Sequence, residues 1–394
     1  MVRAGNLEQL VALREPWEAL LAACERTLLF ETWEWITTWW RHFGGDAELW
    51  VLAAWDGEGR LAGVAPWMLV RDGLGAFALR RLTFIGRGIV YPVHLDLLVR
   101  PSEEEHVTQA LLDYLDAQAG QWDVLDLGDL HPDSALAPCL VGRYDRLKEL
   151  KGTVARVSRL PATWEIYEKE RLSSTRRKHL GQYRRKLERE HPGQVRFSEI
   201  SSPAELRRAL DVFAELNRTR WHGRQNESSF DDDAFVAFHR EIASIALEKG
   251  WLHFCVLEVG EEMAAAIYAF LYRDVFYAYQ ATFDQRWAHY GPGQLMLGYT
   301  VERAIASGAR EWNMMRGEQD YKLSWTDEER VDRHVVVSAG RAGDLWLLGG
   351  GLIETAKSFG RERLPAKLQE RLIRLISMKG AHRHERARGR DVSD

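Results

Sequence analysis

A chain of 394 residues with 46% hydrophobic and 28% charged side chains is too long for one core of ordinary size, which predicts two or more globular domains and excludes a low-complexity or disordered chain. The formal charge of -5 conceals a basic stretch in which Arg171, Arg176, Arg177, Lys178, Arg184, Arg185, Lys186 and Arg189 face only Glu188, so the remainder is more acidic than the total suggests. Cys24, Cys139 and Cys255 are scattered and form no CxxC pair, which argues against a disulfide framework or a structural zinc site and fits a reducing cytoplasm. Glu8, Arg14, Glu15 and Glu18 interrupt any signal-peptide run, and the most apolar late segment, "LWLLGG", is far below the ~20 residues that span a bilayer.

In chain order, "PWEALLAACERTL" and "TWEWITTWWRHFG" predict helices. In the second, Trp35, Trp39, Trp40 and Phe43 recur at helical spacing up to a stop at Gly44, an aromatic face suited to a core or to a cleft wall. "LWVLAAW" and "RLAGVAPWML" around "DGEG" predict a hairpin. "VHLDLLV" and "WDVLDLG" are expected strands with the helix "PSEEEHVTQALLDYLDA" between them, and Pro161 after "TVARVSRLP" marks an expected boundary, giving an α/β domain over 1–160. "RLSSTRRKHLGQYRRKLERE" predicts a helix with a narrow seam of Leu172, Leu180, Tyr183 and Leu187 on an otherwise basic surface.

Ser202-Pro203-Ala204-Glu205 has the form of a capping box with proline in the first turn, opening a helix whose face carries Leu206, Leu210, Phe213 and Asn217 toward "RTRWHG". "FDDDAFVAFHREIASIALEKG" predicts a second helix stopped by Gly250. Residues 251–284 then split at tight turns into a three-strand antiparallel meander. Its opening, "LHFCVLEVGEEMAAAIYAFL", repeats the plan of "LWVLAAWDGEGRLAGVAPWML", as expected of two similar units in tandem. "HYGPGQ", a helix "LMLGYTVERAIASG", a strand "REWNMMRG", the polar stretch "RGEQDYKLSW" and a strand "RHVVVSA" complete a second domain over 161–342. Residues 343–394 read as an amphipathic basic helical tail with a disordered end. Docking on a domain is the expected role of this tail, contact with a membrane surface or a partner the other reading, and His382 and His384 belong to it rather than to a metal site.

Two stretches carry chemistry. "YGPGQL", Tyr290 to Leu295, lies between a strand and a helix, where unpaired N–H groups and the positive end of the helix dipole attract phosphate. Gly291 and Gly293 permit close approach, and Pro292 removes one donor. "RGEQDYKLSW" follows a strand and gathers Arg316, Glu318, Asp320, Tyr321, Lys322 and Trp325. Without further context each stretch also reads as ordinary punctuation and a solvated polar loop.

The order of elements in the second half is similar to the GNAT acyltransferase superfamily, in which the loop after the fourth strand holds the diphosphate of acyl-CoA. "RTRWHG", the meander and "GPGQLMLGYTVERAIASGAREWNMMRGEQDYKLSW" resemble the FemAB-like, CelD/BcsL-type bacterial proteins with a BioF2-like acetyltransferase domain. Their motif of Arg-Gly-Asp/Glu followed by Tyr-Lys and an aromatic is matched here by Arg316, Gly317, Glu318, Tyr321, Lys322 and Trp325. "TWWRHFG", "LAGVAPW" and "RRLTFIG" resemble the first half of such proteins. The resemblance implies two tandem GNAT-like domains of mixed α/β class, the second one active, with acetyl-CoA or another acyl-CoA as donor and no metal. The acceptor it implies is a small-molecule or lipid-linked saccharide of envelope or exopolysaccharide metabolism, handled in the cytoplasm or at the inner face of the membrane. FemAB-like relatives that use aminoacyl-tRNA supply the alternative donor, and a non-catalytic binding protein on the same fold is the third reading. On this reading Tyr290, Gly291, Gly293, Gln294 and Leu295 hold the donor, and Arg220, Trp221, Arg316 and Trp325 line the acceptor cleft. Glu318 or Asp320 is the expected base, Lys322 the cation near the oxyanion and Tyr321 the proton donor to the leaving thiolate. Asp284 and His289, beside the glycine-rich turn, are weaker candidates.

Overall fold

The computed structural model describes residues 1–24, 26, 28–72, 79–223 and 227–347. Met1–Ala339 form one compact unit and Gly340–Asp394 another, of which residues 340–347 are described, with 341–347 helical. The basic tail and its two histidines lie outside the described residues.

The first part of the chain runs β1 (Val2–Ala4), α1 (Leu7–Ala12), α2 (Arg14–Ala23), α3 (Trp33–Phe43), β2 (Glu48–Trp55), β3 (Leu61–Asp72), β4 (Leu79–Phe84), β5 (Leu98–Val99), α4 (Glu104–Ala117), β6 (Val124–Leu130), α5 (Leu136–Arg143) and β7 (Leu147–Leu150). There follow β8 (Val154–Arg159), α6 (Trp164–Arg171), α7 (Ser174–Glu190), β9 (Val195–Glu199), α8 (Pro203–His222) and α9 (Asp233–Glu248). The chain closes with β10 (Leu252–Val259), β11 (Glu262–Tyr272), β12 (Val275–Phe283), α10 (Pro292–Ala306), β13 (Glu311–Arg316), α11 (Asp320–Leu323), β14 (Glu328–Val331) and β15 (Arg333–Ser338). The expected mixed α/β class is what forms: one sheet has the order β1-β2-β3-β4-β6-β15-β7 with β5 on β3, the other β14-β8-β13-β12-β11-β10-β9.

Local chemistry explains most of these elements. The α8 capping box closes in both directions, Glu205 N–H on the Ser202 hydroxyl at 3.3 Å and Ser202 N–H on the Glu205 carboxylate at 3.2 Å, which satisfies donors the first helical turn leaves open. The expected hairpin is β2 against β3, with Trp50 opposite Trp67, and the expected meander is β10, β11 and β12 in antiparallel register. "VHLDLLV" does not form one strand. His94 holds a left-handed φ of 61° that no extended run accommodates, and only Leu98–Val99 pairs with β3.

The sheets exchange strands. β8, from the stretch read as the end of the first domain, pairs with β13 and β14 of the second sheet, and β15 pairs with β6 and β7 of the first. The two crossings pass in contact at Gly152, where a Cβ would stand 1.5 Å from the Asp332 carbonyl oxygen. The aromatic face of α3 is core. Trp35 meets Phe238, Phe270 and Tyr279 of the second half edge to face, so the halves share an interior in which aromatic burial is a main source of stability. Among the described residues no helix is long and apolar enough to cross a membrane, and no cluster of three or more His, Cys, Asp or Glu side chains is placed to hold a metal.

Candidate active site

β12 and β13 run parallel, but their pairing covers only Val275–Tyr277 against Glu311–Asn313; beyond it both strands continue, and β13 is tied to β8 instead, across a register shift between Asn313 and Arg316. The result is a fork at the centre of the second sheet. Asn313 is fully buried there, its side-chain oxygen accepting the Met315 N–H at 2.9 Å and its amide nitrogen without a partner among the described residues. An orphaned buried donor costs stability unless something else meets it.

At the far end of β12 a short 3-10 turn, Gln285–Tyr290, leads to Gly291, whose φ of 60° caps α10. The Tyr183 ring fills the place a Gly291 side chain would take, 2.6 Å from an ideal Cβ, and Gly293 faces Phe283. The N–H groups of Gln294 and Leu295 both return to the Gly291 carbonyl. The backbone donors that the sequence reading assigned to phosphate are therefore mostly used inside the turn. Tyr290 is buried and donates to Glu190 at 2.8 Å, fastening the turn to α7.

The part of this turn that lines a cavity is the Gln294 side chain. Its oxygen accepts from Arg176 Nη1 at 2.6 Å and from the Trp325 indole at 3.2 Å, which fixes the orientation of the amide beside the neighbouring space. That space is a cavity of about 360 Å³ whose walls include Ser173, Arg176, His179, Tyr183, Gln294 and Tyr321. Burial draws the Arg176 pKa down, the sign of a guanidinium partly stripped of water. Such a cation binds an anion more strongly than a solvated one does. Arg176 and Tyr183 belong to the basic helix; the signal for Arg176 in the sequence was a charge run, which by itself means only a solvated face, and Tyr183 read as part of the apolar seam.

The polar stretch after β13 is divided by burial. Glu318 and Asp320 are exposed. Tyr321 reaches the cavity, and its pKa is raised by burial, opposed by Arg220. Lys322 is not at the cleft surface: it is 6% exposed, and its ammonium donates to the carbonyls of Met314 at 2.7 Å and Arg316 at 2.5 Å. Burial lowers its pKa to about 8. One turn of helix, α11, turns Lys322 inward and Tyr321 outward, where the sequence suggested a loop. Trp325 is fully buried against α10, so it supports Gln294 rather than lining a cleft.

Arg316 points to the first half, donating to the Pro92 carbonyl at 2.7 Å and to Asp129 at 2.8 Å. Arg220 bonds the Ala281 carbonyl at 3.2 Å and lies over the Phe283 ring, with Trp221 exposed beside it in the chain. Asp284 caps the 3-10 turn; burial raises its pKa, yet the Arg286 hydrogen bonds outweigh that and hold it below the usual carboxylate range. His289 packs on Tyr290, away from the Gln294 cavity walls.

Residues 174–323 match the family model described as an acetyltransferase (GNAT) domain. This chain carries a GNAT acetyltransferase domain. Its match covers α7 to α11, the span that builds the fork and the cavity. Among solved structures the chain resembles "Crystal structure of FemX", with a TM-score of 0.62 at 11% identity over 88% of this chain and 99% of that one. It also resembles a conserved protein of unknown function from Bacteroides thetaiotaomicron VPI-5482, with a TM-score of 0.54 at 13% identity over 85% of this chain and 99% of that one. At these identities the likeness is one of fold, and it spans both halves of the chain. A search of curated proteins found no match.

Proposed function

We propose that the GNAT domain transfers an acetyl or longer acyl group from acyl-CoA to an amine or hydroxyl of a sugar-linked, cell-envelope or exopolysaccharide acceptor. The observation that carries the reading is the cavity at the first turn of α10, where Arg176 and the Gln294 amide face open space beside Tyr321. A guanidinium and an amide donor at a helix start suit the diphosphate of CoA.

The acceptor nucleophile attacks the thioester carbonyl, the carbon–sulfur bond breaks, and the proton of the nucleophile passes to Glu318 or Asp320. Tyr321 protonates the departing thiolate; its raised pKa keeps the phenol protonated at neutral pH. Lys322 acts by holding the carbonyls at the end of β13, and through them Arg316. No step needs a covalent enzyme intermediate, since Cys24 and Cys255 are buried with pKa values pushed up by burial, Cys24 to about 11.

Calorimetric titration with acetyl-CoA and longer acyl-CoAs tests this reading, with Arg176→Ala and Gln294→Ala as controls. Binding by the wild type and its loss in both variants supports it; binding that both variants retain moves the donor elsewhere. Absence of any acyl-CoA binding together with salt-dependent binding of charged tRNA favours aminoacyl transfer, to which the basic surface of α7 beside the cavity is suited.

A further inference from the structure

Four of the five non-glycine residues that hold a left-handed backbone among the described residues are Tyr91 (φ 49°), His94 (61°), Asp129 (61°) and Met315 (57°). Such conformations persist where the surroundings enforce them, and they concentrate at functional sites. These four meet at one place. The Arg316 guanidinium, next in sequence to Met315, lies 5.5 Å from the Tyr91 ring centroid and bonds both the Pro92 carbonyl and Asp129. Asp129 also accepts from Thr153 at 2.6 Å and carries Leu95 N–H on its own carbonyl at 2.7 Å. His94 is pinned to Asp332 twice, backbone N–H at 2.9 Å and ring Nδ1 at 2.5 Å.

This node is not closed on itself. Asp129 serves a second guanidinium, Arg87, at 3.4 Å, so Arg316 shares the one carboxylate it meets among the described residues. The Arg316 Nε–H is buried and has no partner among the described residues, while 29% of the side chain is exposed. Tyr91 beside it is 42% exposed, a broad ring face open to solvent next to an incompletely paired cation. An ion pair serving stability alone would not require an exposed aromatic ring and four strained residues around it.

We propose that Arg316 and Tyr91 form the acceptor subsite, which takes a ring bearing an oxyanion, phosphate or carboxylate, and that Asp129 is the positioning residue that aims Arg316. The proposal rests on the acyl-transfer reading and adds the acceptor's charge. The guanidinium binds the oxyanion through directed N–H bonds, and the Tyr91 face covers the ring. The first half of the chain, outside the span matched to GNAT, thereby contributes Tyr91 and Asp129 to acceptor recognition, beside Arg316 from within it.

The test is titration of the full chain, saturated with CoA, with galacturonate, glucose 6-phosphate and glucose. The wild type is expected to bind at least one of the two anionic sugars roughly tenfold more tightly than glucose, a difference of one decade in Kd, and whichever binds distinguishes carboxylate from phosphate. Asp129→Asn, chosen because asparagine tolerates the left-handed backbone, should abolish that preference while its CoA affinity stays at the wild-type value; its melting temperature should fall, because Arg87 and Arg316 lose the charge they share. Tyr91→Asn should weaken all three sugars and leave the anionic-to-neutral ratio unchanged. If Asp129→Asn does not fold, Arg316→Lys takes its place and should also lose the preference. Equal affinity for glucose and the anionic sugars in the wild type, no binding of either anionic sugar, or an undiminished preference in the variant overturns the proposal. Failure to bind CoA is read separately and counts against the acyl-transfer reading instead.

Discussion

In both sheets a meander of three antiparallel strands ends in a strand that pairs in parallel with the next for a short stretch and then parts from it. β4 meets β6 over Arg81–Thr83 against Val124–Asp126, and β12 meets β13 over Val275–Tyr277 against Glu311–Asn313. The first fork is filled. Arg87 bonds the Thr83 hydroxyl at 3.0 Å and the Asp126 carbonyl at 3.2 Å, and its guanidinium lies so close to Gly128 that a Cβ there would stand 2.2 Å from it. The helix that follows, α4, opens with Glu104 and Glu105. A cavity of about 70 Å³ beside it is lined by Glu31 and Asp96, whose pKa values burial raises to about 8 and about 6. At the second fork a buried lysine takes the place of that arginine plug, Lys322 on the carbonyls of Met314 and Arg316, while α10 has no acid in its first turn and its Gln294 is met by Arg176. One scaffold thus appears twice, with two acids in the first turn of one helix and none in that of the other, a difference that under the acyl-transfer proposal favours an anion at the second copy.

The contrast can be broken most forcefully at the plug. Burial opposes the Asp126 charge, but the His334 hydrogen bond, Arg87 and Arg81 outweigh it and hold its pKa well below 3.8. Asp126→Ala strands two guanidiniums and should cost roughly 3 to 5 kcal/mol in urea unfolding. Because the folded pKa is depressed, the wild-type contribution is complete above the unfolded value of 3.8 and disappears as pH falls from there through the folded pKa, a loss the variant should not show.

At the acid-lined cavity the sign reverses. Glu31 is held protonated up to about pH 8 by desolvation, against the Leu28 N–H bond, which favours the charged form. Stability should therefore fall as pH rises from 4.5 to 8, and Glu31→Gln should flatten that slope in thermal melts across this range.

In the second half, Arg176→Ala should weaken CoA binding by roughly 10- to 100-fold, the worth of a charge-assisted hydrogen bond, with little change in melting temperature. The smallest change expected is at the turn. Gly291→Ala adds strain at a left-handed position and presses on the Tyr183 ring, costing about 1 to 2 kcal/mol, while Gly293→Ala, which meets Phe283 at an ordinary 3.5 Å, should be milder.

Much of the fold was legible because it rests on short-range rules. The Ser202 and Glu205 cap, the β2 and β3 hairpin and the β10 to β12 meander follow from neighbours a few residues apart. So did the suspicion of two similar units, since their meanders share a strand, turn and strand plan. The candidate site was legible as two stretches of chain but not as a site. Gln294 and Tyr321 were named, yet Arg176, which orients Gln294, lies 118 positions away from it, and Asp129, which aims Arg316, lies 187 away. Lys322 and Trp325 look alike in sequence to residues that face a ligand; their burial follows from one turn of helix that the polar composition hid.

The sequence by itself determined most of the helical and extended segments and the strand, turn and strand plan that the two halves share, because hydrophobic periodicity, capping and turn chemistry act over a few residues, and its motifs carried the resemblance to GNAT proteins in the second half. Only the tertiary structure decided that β8 and β15 change sheets, that Arg87 fills the first fork, and that Arg316 answers to Asp129. Those outcomes depend on pairing and charge compensation between residues far apart in the chain, for which local pattern carries no signal until the core has closed.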